Sequence, residues 1–347
     1  MLESQLLQKS SDHYFDPIEQ NSEKNSSNIY FDVETAVSSF EGEVETQEFQ
    51  VVDSKTQKYL ANAQVLIKHK EYDLALNILR QASTRDSKNP SVLKMLGNCL
   101  ERKGNFKEAM FARKALVKYD YGFESLYLQA TCLYKLGQDE MALEKYYEAL
   151  SVLKEEDTQL FEAYKNMGNI FVRQGDFEGA EEFYNKAYTM NSQSDILLVN
   201  LGTLQVQRND FEKSLYCFRK AVEVNSLNDK AWVGLAMVHN QLGDSDLAWA
   251  NLQSAIDINP GNRTAVHLLA NWSLRDKKIK AGILALQQYL ASVESDEDMS
   301  LVLINLLCSD GQIEWALMEM ERVLLWNPEH QEVKALKKRL NNTVGAA

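Results

Sequence analysis

The side chains here that could hold a metal, attack a substrate or move protons are five histidines, four cysteines and the carboxylates, so their spacing comes first. His13, His69, His239, His267 and His330 are scattered, and none forms the H-E-x-x-H pair that would present two imidazoles to one zinc ion. Cys99, Cys132, Cys217 and Cys308 lie 33, 85 and 91 residues apart, which fits no C-x-x-C metal or redox pattern, so they are expected to be reduced packing residues. A glycine-rich phosphate loop is missing as well. Asp and Glu recur at helical spacing, where they read as solvated helix faces rather than an acid-base pair. The expectation is no catalytic residue, no metal and no cofactor: a chain that binds rather than an enzyme.

A different chemistry is suggested at the N-terminus. Tyr14-Phe15-Asp16 recurs as Tyr30-Phe31-Asp32, each followed within two residues by a branched aliphatic, Ile18 or Val33. Residues 1–52 around them are polar, rich in Ser and Asn, and without helical periodicity, which predicts a flexible arm. Exposed aromatics in such an arm either form short linear motifs for an external partner or let the acidic arm fold back onto its own mildly basic groove and block it; two chance triplets are the bland alternative. Residues 1–50 hold 11 Asp and Glu against 2 Lys, so most of the net charge of −13 sits there. An acidic protein repels the nucleic-acid backbone and anionic lipid, which argues against nucleic acid and membrane as general partners. Met1–Phe15 contains no signal-peptide-like apolar stretch, and Leu301–Cys308 is too short to span a bilayer, so a cytoplasmic location is expected. The sequons at Asn262 and Asn271 fall inside helical pattern and are read as chance matches.

The elements that would position any site emerge from internal repetition. With 4 prolines and an abundance of Ala, Leu, Glu, Lys and Gln, the chain reads as all-helical. Aligning small residues gives repeats beginning at Thr56, Pro90, Phe123, Phe161, Asp195, Asp229, Arg263 and Glu297, and five of the seven steps equal 34. The eighth position reads Ala63, Gly97, Ala130, Gly168, Gly202, Ala236, Ala270 and Ile304; the twentieth reads Ala75, Ala109, Ala142, Ala180, Ser214, Ala248, Gly282 and Ala316. Small residues at these two places let two antiparallel helices cross closely, since a bulky side chain there would overpack by about 1 to 3 kcal/mol. Larger side chains surround them, with Leu93, Leu126, Tyr164 and Trp232 at the fourth position and Tyr146, Tyr184 and Phe218 at the twenty-fourth. Gly104, Gly137, Gly175, Gly243 and Gly311 each stand five residues before the second helix's alanine, where a left-handed C-cap suits glycine.

On these residues the sequence resembles the tetratricopeptide repeat family over Thr56 to His330. The best-formed repeats contain Tyr164-Lys165-Asn166-Met167-Gly168-Asn169-Ile170-Phe171 with Gly175-Asp176-Phe177, and Trp232-Val233-Gly234-Leu235-Ala236 with Asn259-Pro260. The repeat from Arg263 departs from the pattern at Lys277, Gly282 and Tyr289 and is a candidate flexible joint. Four extra residues around Lys154 to Gln159 are expected to lengthen a helix by about one turn. Gln331 to Leu340 reads as an amphipathic helix capping the end of the stack.

The resemblance implies an all-α, right-handed alpha-solenoid of about eight helix-turn-helix repeats. Its parts would be an N-terminal arm (1–52), the repeats (53–330) and a capping helix with tail (331–347). It also implies that the first helix of each repeat lines a concave groove. Partner contacts would then come from Lys94, Asn98, Glu101, Tyr127, Thr131, Tyr134, Lys165, Asn169, Asn200, Thr203, Lys230 and Met237, with Arg102 and Arg173 beside them. Co-chaperones of this family grip a partner's terminal carboxylate with Lys, Asn, Asn, Lys and Arg; the matching places hold Lys165, Asn169, Asn200, Lys230 and Gly234. Four types agree and Gly234 does not, so these lysines are either an anion clamp or solvated cations on a groove wall. The implied function is a protein-protein interaction adaptor or scaffold for a peptide or helix, including an acidic or carboxylate-terminated segment. The alternative is a chaperone or co-chaperone that shields a client or docks a partner's tail.

Overall fold

A computed structural model describes residues 54–154 and 157–344. The arm triplets Tyr14-Phe15-Asp16 and Tyr30-Phe31-Asp32 lie outside the described residues. Among those described there are 17 α-helices and no strand, so the chain is all-α. The helices alternate as hairpins: α1 (Ser54–Lys68) with α2 (Tyr72–Arg85), α3 (Pro90–Arg102) with α4 (Phe106–Tyr119), and α5 (Phe123–Lys135) with α6 (Asp139–Ser151). Next come α7 (Leu160–Gln174) and α8 (Phe177–Met190), α9 (Asp195–Gln207) and α10 (Phe211–Val224), and α11 (Asp229–Gln241) and α12 (Ser245–Ile258). The series ends with α13 (Arg263–Arg275) and α14 (Ile279–Ser292), α15 (Glu297–Ser309) and α16 (Ile313–Trp326), and the single helix α17 (Gln331–Val344). The described residues fall into two compact blocks that divide between Ile170 and Phe171.

Local chemistry explains where helices begin. The Asn89 side chain accepts from the backbone N–H groups of Ser91 and Val92, with Pro90 at the first helical position, where its missing N–H costs nothing. Asp176, Ser194, Asp210, Asn228, Asn262 and Asp296 cap later helices the same way. The hairpin turns are equally uniform. Gly104, Gly137, Gly175, Gly243 and Gly311 have φ of 79, 70, 76, 87 and 76°, the left-handed region expected of them. The same place in the other three hairpins holds Lys70, Asn209 and Lys277, which take φ of 62, 59 and 57° despite their Cβ atoms.

The small residues stand at the helix crossings. Ala63, Ala75, Ala109, Ala130, Ala142, Ala180, Ala236, Ala248, Ala270 and Ala316 are all fully buried. At Gly97 and Gly202 in the eighth position, and at Gly234 two residues before Ala236, a large side chain from a second helix fills the space. In the first block a Cβ on Gly97 would stand 2.7 Å from Cζ of Arg113. In the second block, Cβ atoms on Gly202 and Gly234 would stand 2.8 and 2.4 Å from Cε1 of the same Phe218 ring. That ring anchors a core of Leu198, Val199, Ala221, Ala231, Leu235 and Val238.

Successive hairpins of the second block are also joined by polar staples. Asp195 accepts from Asn225 (2.6 Å) and Asn228 (2.9 Å), and Asp229 accepts in the same way from Asn259 (2.7 Å) and Asn262 (2.9 Å). In the next repeat the polarity is exchanged, and Arg263 donates to Asp296 through Nε (2.7 Å) and Nη2 (3.1 Å).

One expectation changes. The four extra residues do not add a helical turn: α6 stops at Ser151 and α7 starts at Leu160, so they lengthen the connection. The backbone turns away at Val152, and the Asp157 carboxylate accepts from the Gln159 N–H at 2.7 Å just before α7. The repeat from Arg263 packs closely at two of the places where it departs from the pattern. A Cβ on Gly282 would stand 2.3 Å from Ser273 Oγ, and Tyr289, buried, donates its hydroxyl to Asp296 at 2.8 Å. Burial and the Asp296 charge push the Tyr289 phenol up to about 12, and it stays a donor. The Asp296 carboxyl is raised by burial, but hydrogen bonds from Arg263 and Tyr289 outweigh this and hold it below its ordinary value.

Candidate interaction surface

Each first helix uses one face for the fold and leaves the other available. In the first block, Leu93, Gly97 and Leu100 of α3, Leu126, Ala130 and Leu133 of α5, and Ala163, Met167 and Ile170 of α7 face inward and are buried. Between them along each helix lie Lys94, Asn98, Tyr127, Thr131 and Lys165, all half-buried. This strip carries the mixed polar and aromatic character expected of a peptide-binding wall.

Several of its residues are held from beneath. Arg113 of α4 is fully buried, and its guanidinium donates to Glu101 (2.8 Å), to the Asn98 side-chain oxygen (2.6 Å) and to the Lys94 carbonyl (3.3 Å). A buried guanidinium is tolerable only when its donors are matched in this way. Lys94 itself pairs with Glu124, which also accepts from Gln159 at 3.3 Å. Arg102, in the last turn of α3, is exposed. Tyr127 stacks on Phe123 with centroids 6.1 Å apart, and burial raises its phenol pKa. Tyr134 and Asn169 are buried together, the Asn169 amide donating to the Tyr134 hydroxyl at 2.9 Å. Tyr146 receives a hydrogen bond from Asn166 (3.1 Å) and shares one with Thr131 (3.1 Å). Lys165 pairs with Glu162 one turn back (2.6 Å) and lies 5.7 Å from the Phe161 ring centroid.

In the second block, Arg173 in the last turn of α7, Asn200 and Thr203 of α9, and Lys230 and Met237 of α11 are half-buried. The clamp residues therefore divide, with Lys165 and Asn169 in the first block and Asn200 and Lys230 in the second. Gly234 is explained by packing, since the Phe218 ring occupies the place a side chain would take.

The cysteines are free thiols. Burial pushes Cys132 up to about 12 and Cys217 up to about 11, and raises Cys99 and Cys308 as well. Cys99 and Cys132 occupy equivalent places and donate to the carbonyls of Tyr72 (3.6 Å) and Phe106 (3.4 Å), each the first residue of the preceding hairpin's second helix. Protonated, inward-facing thiols are poor nucleophiles and serve here as packing groups. A cavity of about 260 Å³ lined by Asp296, Glu297, Ser300, Arg322 and Asn327 is crossed by its own hydrogen bonds, Arg322 donating to Ser300 at 2.8 Å and Asn327 to Glu297 at 3.2 Å.

Two features escaped sequence reasoning. Nothing local in the sequence marks Arg113 for burial, and only its placement opposite Gly97 could have betrayed it. Helix α16 exposes Trp315 (55%), Met318 (59%) and Leu325 (81%), an apolar face whose i, i+3, i+10 spacing in the sequence does not distinguish it from a buried stripe.

Comparison with known proteins returns three family models described as tetratricopeptide repeat, matching residues 66–132, 123–193 and 199–263, together more than half of the chain. No curated protein matches the sequence. Among solved structures, PilW, a widely conserved type IV pilus biogenesis factor, aligns with a TM-score of 0.57 at 14% identity, over 63% of this chain and 100% of that one. PilF of Pseudomonas aeruginosa aligns with a TM-score of 0.53 at 16% identity, over 63% and 98%. The APC/C hetero-tetramer Cut9-Hcn1 aligns with a TM-score of 0.56 at 17% identity, over 72% of this chain and about half (48%) of that one. At such identities the likeness establishes the fold. Among the described residues no helix is long and apolar enough to cross a membrane.

Proposed function

Because the chain belongs to the tetratricopeptide repeat family, we propose that it is an interaction scaffold that holds an extended segment or helix of another protein against the open faces of its first helices. The observation that carries this reading is the division of labour on α3 and α5. One side of each is spent on the hairpin core, while Lys94, Asn98, Tyr127 and Thr131 form a half-exposed strip stiffened by Arg113 below. A rigid polar and aromatic strip costs little conformational entropy when a ligand settles on it. In the first block the exposed Arg102 beside this strip favours a partner segment bearing carboxylates, and on the second block, taken by itself, Lys230 does the same. We assign no catalytic step to the chain and place it in the cytoplasm.

Affinity capture followed by mass spectrometry tests the reading. Lys94→Ala with Arg102→Ala in one variant, and Lys230→Ala in another, should each deplete the captured partner at least fivefold while leaving helical content unchanged. Capture that is the same for wild type and both variants would remove the proposal.

A further inference from the structure

The charge of this protein is distributed in a way that its total conceals. Residues 1–53 carry 12 Asp and Glu against 2 Lys, whereas residues 54–138, which form α1 to α5 and the turn after them, carry 15 Lys and Arg against 7 Asp and Glu. An acidic segment of −10 is thus joined directly, at Ser54, to a basic stretch of +8.

The basic charge is organised by the repeat. Lys68, Arg102 and Lys135 are the last residues of α1, α3 and α5, the same place in three successive hairpins. A cation there suits the negative end of each helix dipole, which accounts for one such residue per helix. It does not account for Lys70 and Lys107, which add to this turn edge and are exposed with Lys68 and Arg102. Some carboxylates nearby are already engaged, Asp73 by Lys103, Glu101 by buried Arg113 and Glu108 by Arg80, while Glu71 and Glu140 are exposed at the same turns and offset part of the positive charge. The turn edge of the first three hairpins is left with a surplus of exposed positive charge.

We infer that the acidic N-terminal segment, residues 1–53, docks in cis on the cationic turn edge formed by Lys68, Lys70, Arg102, Lys107 and Lys135. Charge complementarity names the occupant, and attachment makes it the favoured one. A tether of a few tens of residues supplies an effective concentration on the order of millimolar, against which a free acidic peptide must compete. Tyr30-Phe31-Asp32 lies close enough to Ser54 to reach this edge, and aromatic faces pack well against lysine and arginine. Arg102 borders the partner strip, so docking also lowers affinity for an acidic partner; this consequence alone rests on the function proposed above.

Zero-length carbodiimide cross-linking of the full chain tests the docking without any partner. Asp and Glu of residues 1–53 should join to Lys68, Lys70, Lys107 or Lys135, and the yield should fall at least fivefold in about 1 M NaCl, where the Debye length is about 3 Å. The variant Lys68→Gln with Arg102→Gln and Lys135→Gln should weaken the remaining links to Lys70 and Lys107 without loss of helix. Absence of such links, or equal linkage to Lys213, Lys220 and Lys280 of the second block, overturns the inference. Mixed-isotope links from a light and heavy mixture would move the contact to a second copy and overturn the assignment in cis. A partner lost in the capture experiment leaves this result unaffected, so the two readings fail separately.

Discussion

The Arg113 guanidinium fills the space that the missing side chain of Gly97 leaves, with Cζ 2.7 Å from where a Cβ would stand. Glycine and arginine on facing helices are thus one packing device. Gly97→Ala should destabilise the first block by about 1 to 3 kcal/mol, because the fully buried guanidinium cannot yield without losing Glu101 and Asn98. Arg113→Ala should cost about 3 kcal/mol or more, through a cavity and unmatched polar partners. Urea titration followed by circular dichroism measures both, and a neutral Gly97→Ala would refute the account.

Phe218 has the corresponding role in the second block, between Gly202 and Gly234. Gly234→Arg completes the residue types of the family's carboxylate clamp on paper, yet it should lower the melting temperature and leave carboxylate-peptide binding no tighter. The pair Gly234→Ala with Phe218→Leu should recover stability lost by Gly234→Ala alone, since the two changes share one space.

Left-handed turn residues offer a gain. Lys277 and Lys70 hold φ of 57 and 62° where five other hairpins use glycine. Lys277→Gly should stabilise by about 0.5 to 1 kcal/mol, relief of the Cβ clash exceeding the added unfolded-chain entropy. Gly104→Ala should destabilise by about 1 kcal/mol or more. Thermal melts that rank these two variants the other way would count against the assignment.

Acid should loosen the second block through Asp276. Its carboxylate accepts from Arg275 at 2.7 Å and from the Trp249 indole at 2.6 Å, and the Arg275 bond is the chief reason its pKa falls from 3.8 to about 2. A depressed carboxyl contributes stability that is fully present above its unfolded pKa and lost as pH falls through the folded one. The melting temperature should therefore drop between about pH 4 and pH 2, and Asp276→Asn, which cannot titrate, should drop less steeply over that window. Parallel curves for the two proteins would exclude Asp276 as a contributor.

Much of the framework was legible in the residues. Alanine and glycine at two fixed places per repeat can only mean close helix crossings, and Gly104 or Gly243 just before a second helix names its turn. The replacement of Asp195 and Asp229 by Arg263 was visible too, as was Asp296 in the place of Asn228 and Asn262, but their ion pair required knowing that residues 33 apart meet.

Sequence alone therefore determined the helices, their pairing and their turns, because backbone propensity, steric size and φ preference act over a few residues and repeat with a period the eye can count. Tertiary structure decided which polar side chains are spent. Arg113, Asn98, Asn169 and Tyr134 carry the residue types of a binding surface, and whether each meets solvent or another buried group depends on neighbours 12 to 35 residues away. Desolvation and hydrogen bonding act across those contacts, which no local pattern encodes.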